Sequence, residues 1–201
     1  GVGVFDHGLQ YISPKSSEFL EFVKELKSVK RWDGDFVEID GKIIVLEATE
    51  KFIGEMGNND FVKSLIQMEN CHFKTRIEKL EFLQDHWKLI DEHGKEHLAK
   101  QVILTLPQEQ TNELVKDLDI GFKITENKMK PCFTVMLGLK ESPIFRHSGY
   151  VLHNSIVSWC ANETSKERTL NSNDLLLLTL QQTEEYGFAT FKKIKENKDK
   201  I

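Results

Sequence analysis

Gly3-Val4-Phe5-Asp6-His7-Gly8-Leu9-Gln10-Tyr11-Ile12-Ser13 is the stretch on which the reading of this chain turns. It reads as an extended segment ending in polar turn residues. A second stretch, Gln101-Val102-Ile103-Leu104-Thr105-Leu106-Pro107, is a continuous apolar run stopped by proline. Runs of that kind normally lie in strands buried on both faces, as in a parallel sheet between helices. A dinucleotide-binding sheet would carry G-x-G-x-x-G directly after its first strand, so that backbone N–H groups and a helix N-terminus face the pyrophosphate. Here Gly1-Val2-Gly3 leads into Phe5-Asp6, with no third glycine in place and no helix-forming run behind it.

Outward from there, Pro14-Lys15-Ser16-Ser17 supplies a break and an N-cap, and Glu18 and Glu21 suit the positive end of a helix. Phe19, Phe22, Val23 and Leu26 recur at i, i+3, i+4, i+7, the pattern of an amphipathic helix laid on a core. Short strands are expected over 35–38 and 42–47, joined at Asp40-Gly41 by a type I′ turn whose central positions both need positive φ. A loop over 54–60 feeds a short helix with Phe61, Val62, Leu65, Ile66 and Met68 as its stripe. A meander follows over 72–80 and 82–90, turning at Gly94, and then the strand 102–106. After a short helix at 112–118, strands are expected over 133–139, 150–153, 156–161 and 175–180. A polar loop, 162–173, joins the last two. From Thr183 onward the pattern is helical, with Phe188, Phe191 and Ile194 on one face.

A formal net charge of −5 argues against a nucleic-acid partner or an anionic membrane surface, both of which call for a basic face. Lysines at 192, 193 and 195 and around 128–130 have acidic neighbours and read as solvated faces. No apolar run approaches the ~20 residues of a membrane span, and the N-terminus lacks the basic-then-apolar order of a signal peptide. Cys71, Cys132 and Cys160 are odd in number, without C-x-x-C spacing, which suits thiols packed as small apolar groups in a reducing cytoplasm.

Catalytic motifs are scarce. None of the seven histidines stands in H-E-x-x-H or at ligand spacing from a cysteine, so no metal site is expected. Ser158 lacks the G-x-S-x-G elbow of a hydrolase. Asp6 and His7 look like an acid–base pair, but neighbours on a strand point to opposite faces and cannot cooperate directly. No catalytic residue is assigned.

Taken in order, these segments resemble renalase and its bacterial relatives, within the flavin-containing amine oxidase superfamily. Phe5-Asp6-His7-Gly8-Leu9-Gln10-Tyr11 resembles that family's D-x-G-A-Q-Y segment, with Leu9 in place of the usual alanine. Thr75-Arg76-Ile77 resembles the strand that meets the adenine of FAD, and residues 102–107, ending in Pro107, the strand that closes the flavin lobe. Residues 131–137 and 158–166 resemble two strands of the substrate domain. The resemblance implies that Gly8, Leu9, Gln10 and Tyr11 run past the isoalloxazine, that Arg76, Ile77 and Pro107 lie on the cofactor side, and that Trp159 and Tyr150 line the substrate cavity. Each has a plainer reading too: a bend at Gly8, half-buried strand residues at Gln10 and Tyr11, and a core aromatic at Trp159.

The expectation is therefore an α+β fold derived from α/β: a partial dinucleotide-binding lobe (1–13 and 55–107) plus a substrate-binding domain with an antiparallel or mixed sheet and flanking helices (14–54 and 108–201). The chain starts on Gly1 and lacks two family signatures, the N-terminal glycine-rich unit and the C-terminal Gly-Asp segment. It reads as an internal piece, or a relic, of an FAD-dependent oxidoreductase that moves hydride from a reduced nitrogen-containing substrate to flavin and then to O2. FAD belongs to the parent enzyme and is not expected to be retained by this chain alone. The alternative is a non-catalytic ligand- or protein-binding domain derived from such an enzyme. Expected partners are a small-molecule substrate and a second copy pairing through an exposed sheet edge.

Overall fold

The computed structural model describes residues 3–66, 70–119, 129–140, 144–171 and 174–198. Gly1, Val2, Met68, Lys128 and Asn173, all used above, lie outside those residues. The chain divides into two compact units, Gly1–Gln67 with Pro131–Ile201, and Met68–Lys130. These bounds do not coincide with the lobes expected from the sequence. Ile12 and Phe52 exchange backbone hydrogen bonds at 2.8 Å in both directions, so 1–13 and 14–54 fold as one body. Helices stand beside antiparallel and mixed sheets, an α+β fold.

In the first unit, helix α1 (Ser17–Glu25) starts at Ser16, whose hydroxyl accepts from Phe19 N at 3.2 Å. Of its expected stripe only Val23 is buried, while Phe19 and Phe22 stack on each other and stay largely exposed. Two three-residue strands absent from the sequence reading, β1 (Val29–Arg31) and β4 (Phe52–Gly54), pair antiparallel. Strands that short carry no periodicity to detect. β2 (Phe36–Ile39) and β3 (Ile43–Val45) form the expected hairpin, but not through a type I′ turn. Their register leaves three connecting residues, 40–42, and only Gly41 has positive φ, at +67°. Three-residue hairpin loops need one left-handed position rather than two.

The second half of the unit supplies β8 (Thr134–Leu139), β9 (Gly149–Leu152), β10 (Val157–Asn162) and β11 (Leu176–Gln182), followed by α4 (Glu184–Lys198). With the hairpin they make a six-stranded sheet ordered β3-β2-β9-β10-β11-β8, antiparallel except where β2 meets β9. Side chains alternate between its faces. On one face Val37, Tyr150, Cys160 and Leu178 form a buried cluster. On the other, Phe36 and Ala161 pack with Trp32 and Ile53, flanked by Trp159 and Tyr11. Residues 4–11 lie over this second face, and the candidate site is built there. A further short helix, α2 (Asn59–Leu65), follows β4 and has no buried residue.

The second unit holds the meander, β5 (Ile77–Leu83), β6 (His86–Asp91) and β7 (Glu96–Ala99), and helix α3 (Gln108–Val115). The apolar run 102–106 is not a strand. It has no ladder partner among the described residues, and Ile103 is 87% exposed. A hydrophobic run becomes a strand only where a neighbour takes up its N–H and C=O groups. Leu106 is instead held at its carbonyl by the Thr111 hydroxyl at 3.2 Å, in the turn that starts α3.

Candidate functional site

The segment around Gly8 is fixed by its carbonyls. Gln10 Nε2 donates back to Asp6 O, the Thr134 hydroxyl donates to His7 O at 3.1 Å, Gln181 Nε2 to Gly8 O at 3.1 Å, and Asn58 Nδ2 to Leu9 O at 2.6 Å. Thr134 and Gln181 are paired neighbours on β8 and β11, so both reach the segment from the same sheet face. Four consecutive acceptors are thus each engaged by a side chain.

Upstream, Asp6 is clamped by charge. Its carboxylate accepts from Lys166 Nζ at 2.8 Å, Arg168 Nη2 at 2.6 Å and Asn58 N at 2.9 Å. Glu163 meets the same lysine at 2.9 Å and the same arginine at 3.2 Å, and accepts from the Thr179 hydroxyl at 2.6 Å. Two anions face two cations, and all four side chains are buried. Burial alone pushes the Asp6 carboxyl up, but Lys166, the Asn58 N–H and Arg168 outweigh it and hold it below the usual carboxylate range. His7 is exposed, so the Asp6–His7 pair does not act together.

The sequence marks none of Asn58, Glu163, Lys166 or Arg168 as a site residue, and the loop 162–173 reads from it only as polar. Its first part is instead a 3-10 turn, Glu163–Lys166, capped by the Asn162 side chain, which accepts from Thr164 N and Ser165 N. That turn rolls Glu163 and Lys166 inward. Charged residues on a loop carry no local mark that separates burial from exposure.

Downstream of Gly8 the surroundings become aromatic. The Tyr11 ring lies 5.7 Å from Trp159 and 6.1 Å from both Trp32 and Phe36, centroid to centroid. Trp32 is anchored through Nε1 to the Ser165 hydroxyl at 3.0 Å. Gly149 lets Phe36 and Trp159 close over β9, because a Cβ there would stand 2.6 Å from each ring. Burial pushes the Tyr11 phenol up.

Beside this wall opens a hollow of about 320 Å³ lined by Gly8, Leu9, Gln10, Tyr11, Trp159 and Gln181. Gln10 is buried, and its Oε1 has no hydrogen-bond partner among the described residues. A Cβ on Gly8 would meet nothing within 4 Å, so the chain's own packing does not require glycine there.

The structure therefore brings Gly8, Leu9, Gln10, Tyr11 and Trp159 together at one hollow. It does not bring Tyr150 to them. Tyr150 belongs to the core cluster on the opposite sheet face, where its hydroxyl accepts from His147 N at 2.8 Å. Its pairing partner is Cys160, the neighbour of Trp159, and adjacent strand residues point to opposite faces. Arg76, Ile77 and Pro107 belong to the second unit. There Arg76 and Ile77 help line a broad groove between β5, the run 102–106 and α3. Burial, and secondarily Glu163, raise the Cys160 thiol to about 12, so it is not a nucleophile at neutral pH. Among the described residues no three His, Cys, Asp or Glu side chains are grouped to hold a metal, and no helix is long and apolar enough to cross a membrane.

No protein-family model matches the chain. Among solved structures it is similar in fold to one from Exiguobacterium sp. 255-15, described as "Putative protoporphyrinogen oxidase", with a TM-score of 0.50 and 17% identity. The likeness covers 66% of this chain and 31% of that one. At that identity it is a likeness of fold. The chain spans less than a third of the neighbour's length.

Proposed function

We propose that this chain is part of a flavin-dependent oxidoreductase of the amine-oxidase type, renalase-like in its ring-side segment, with the hollow beside Gly8 as the place where an isoalloxazine edge and substrate meet. In this reading Trp159 walls the substrate side. Protoporphyrinogen oxidation, the activity in the neighbour's description, belongs to the same broad chemistry of flavin-linked dehydrogenation. The observation that carries the reading is the hollow itself: a bare glycine the fold does not need, an orphaned buried amide oxygen and two aromatic walls, on a backbone locked from both ends.

The residues present fit the ring end of FAD. Gln10 Oε1 offers an acceptor to a ring or substrate N–H. Tyr11 and Trp159 offer flat apolar faces. The phosphate end has no match, because the chain contains no G-x-G-x-x-G to cradle a pyrophosphate. The chemistry such a cofactor supplies is acceptance of hydride from a reduced nitrogen-containing substrate, with O2 as final acceptor. This chain's residues bind and orient. No acid–base pair lines the hollow, which suits a reaction whose difficult step the cofactor carries. It suits equally a second reading, a ligand-binding domain without catalysis.

Titration of the whole chain with lumiflavin, which is the ring alone, and with FAD tests this. Quenching of flavin fluorescence by both, weakly and with similar affinity, is expected. Absence of lumiflavin binding overturns the ring site, and tight stoichiometric FAD overturns the missing phosphate grip. Turnover of a reduced dihydronicotinamide with O2 by the flavin-loaded chain separates the catalytic reading from the binding one.

A further inference from the structure

Among the described residues the first unit buries two lysines and treats them differently. Lys166 meets two carboxylates, Asp6 at 2.8 Å and Glu163 at 2.9 Å. Lys51, only 7% exposed, forms no ion pair among the described residues. Its Nζ donates to the Thr49 hydroxyl at 2.6 Å and stands 4.0 Å from the centroid of the Phe36 ring and 5.5 Å from that of Tyr11. An ammonium has three donors, and the neutral hydroxyl takes one. Attraction to aromatic faces returns only part of what it costs to bring a cation out of water. A buried charge left in that state favours an anion beside it.

We propose that Lys51 and Thr49 form a subsite for the carboxylate or phosphate group of a small ligand. The Thr49 side is open to solvent, which gives the ligand its approach to the ammonium. Tyr11 links the subsite to the hollow, since the ring near the Lys51 ammonium is also one of the hollow's walls. A ligand with a flat body in the hollow and an anionic arm at Lys51 would touch Tyr11 with both parts. Burial first, and the positive charge of Lys15 second, hold the Lys51 ammonium below the ordinary lysine range. The charged group that acts on it most is thus another cation, although the chain as a whole is acidic. The subsite stands whether the hollow takes a flavin, another ring or nothing.

Inorganic phosphate and propionate, added at constant ionic strength against chloride, test it by backbone amide shifts of the whole chain. Saturable shifts at Thr49, Lys51 and Tyr11 are expected with at least one anion, and the stronger of the two identifies the group recognised. Lys51→Met, which keeps the stem and removes the charge, should weaken the response at least about tenfold, while Lys51→Arg should keep it. Lys51→Met should also fold at least as well as the wild type, because it removes an unneutralised buried charge. Should it fail to fold, Thr49→Val gives the same test, with a weaker response expected. No saturable response in the wild type, or an equal response in the charge-removed or hydroxyl-removed variant, overturns the proposal. Lumiflavin binding read in the same samples reports on the ring site separately.

Discussion

Arg168 and Asp6 stand 162 positions apart, yet the guanidinium Nη2 donates to the Asp6 carboxylate at 2.6 Å with both side chains buried. This bond ties the start of the chain to the turn after β10, and so sets where the Gly8 segment lies on the sheet.

Breaking the cluster from one side should therefore cost far more than breaking a surface pair. Arg168→Met leaves Asp6 and Glu163 buried with only Lys166 between them, and should lower stability by about 3–5 kcal/mol. Arg31→Ala, which removes an exposed pair with Asp33, should cost less than about 1 kcal/mol. Urea denaturation of the two variants measures the difference, and equal losses would contradict the buried clamp.

The two glycines at the site should separate function from folding. Gly8→Ala should leave the melting temperature unchanged, because its Cβ meets open space, and should weaken lumiflavin binding by narrowing the hollow. Gly149→Ala should do the reverse damage first. Its Cβ would stand 2.6 Å from Phe36 and Trp159, an overpacking that costs about 1–3 kcal/mol.

Acid should loosen the second unit through Asp91. Its hydrogen bond from His97 at 2.9 Å, opposed by burial and reinforced by the Lys95 and His93 N–H groups, brings the carboxyl down to about 2. A carboxyl depressed in the folded state stabilises fully above its unfolded value of about 3.9. That stabilisation is lost as pH falls from there toward 2. Protection of the Lys95 and His93 amides, measured relative to their intrinsic exchange rates, should fall across this window in the wild type. In Asp91→Asn, whose amide oxygen can still accept from both amides but does not titrate, protection should show no such step.

Self-association should run through β3. Leu46 N bonds Phe36 O at 2.8 Å, so by the alternation of antiparallel ladders Ile43 and Val45 turn their backbone groups away from β2. Both side chains are more than 60% exposed. A charge on such an edge blocks pairing. Val45→Lys should shift a sedimentation-velocity profile toward monomer at high concentration, and an unchanged profile would move the contact elsewhere.

Several elements were legible from residues alone because their causes are local. Ser16 caps α1 from one position away, short apolar runs mark β8 to β11, and Gly94 turns the meander with φ at +77°. The segment 3–11 stands out as a candidate site only through its resemblance to a family. The run 102–106 misled because apolarity marks burial without saying what the strand would pair with.

By itself, then, the sequence determined the helices, the hairpins and the strands of the main sheet, since caps, turns and short apolar runs act over a few residues. Only the tertiary structure decided that Asp6, Glu163, Lys166 and Arg168 neutralise one another in the interior, that Lys51 does not share in that neutrality, and that Tyr150 and Trp159 part company across a sheet. Those outcomes depend on which distant charges and faces meet once the chain is folded, and coulombic pairing across 160 positions leaves no periodic trace in the order of the residues.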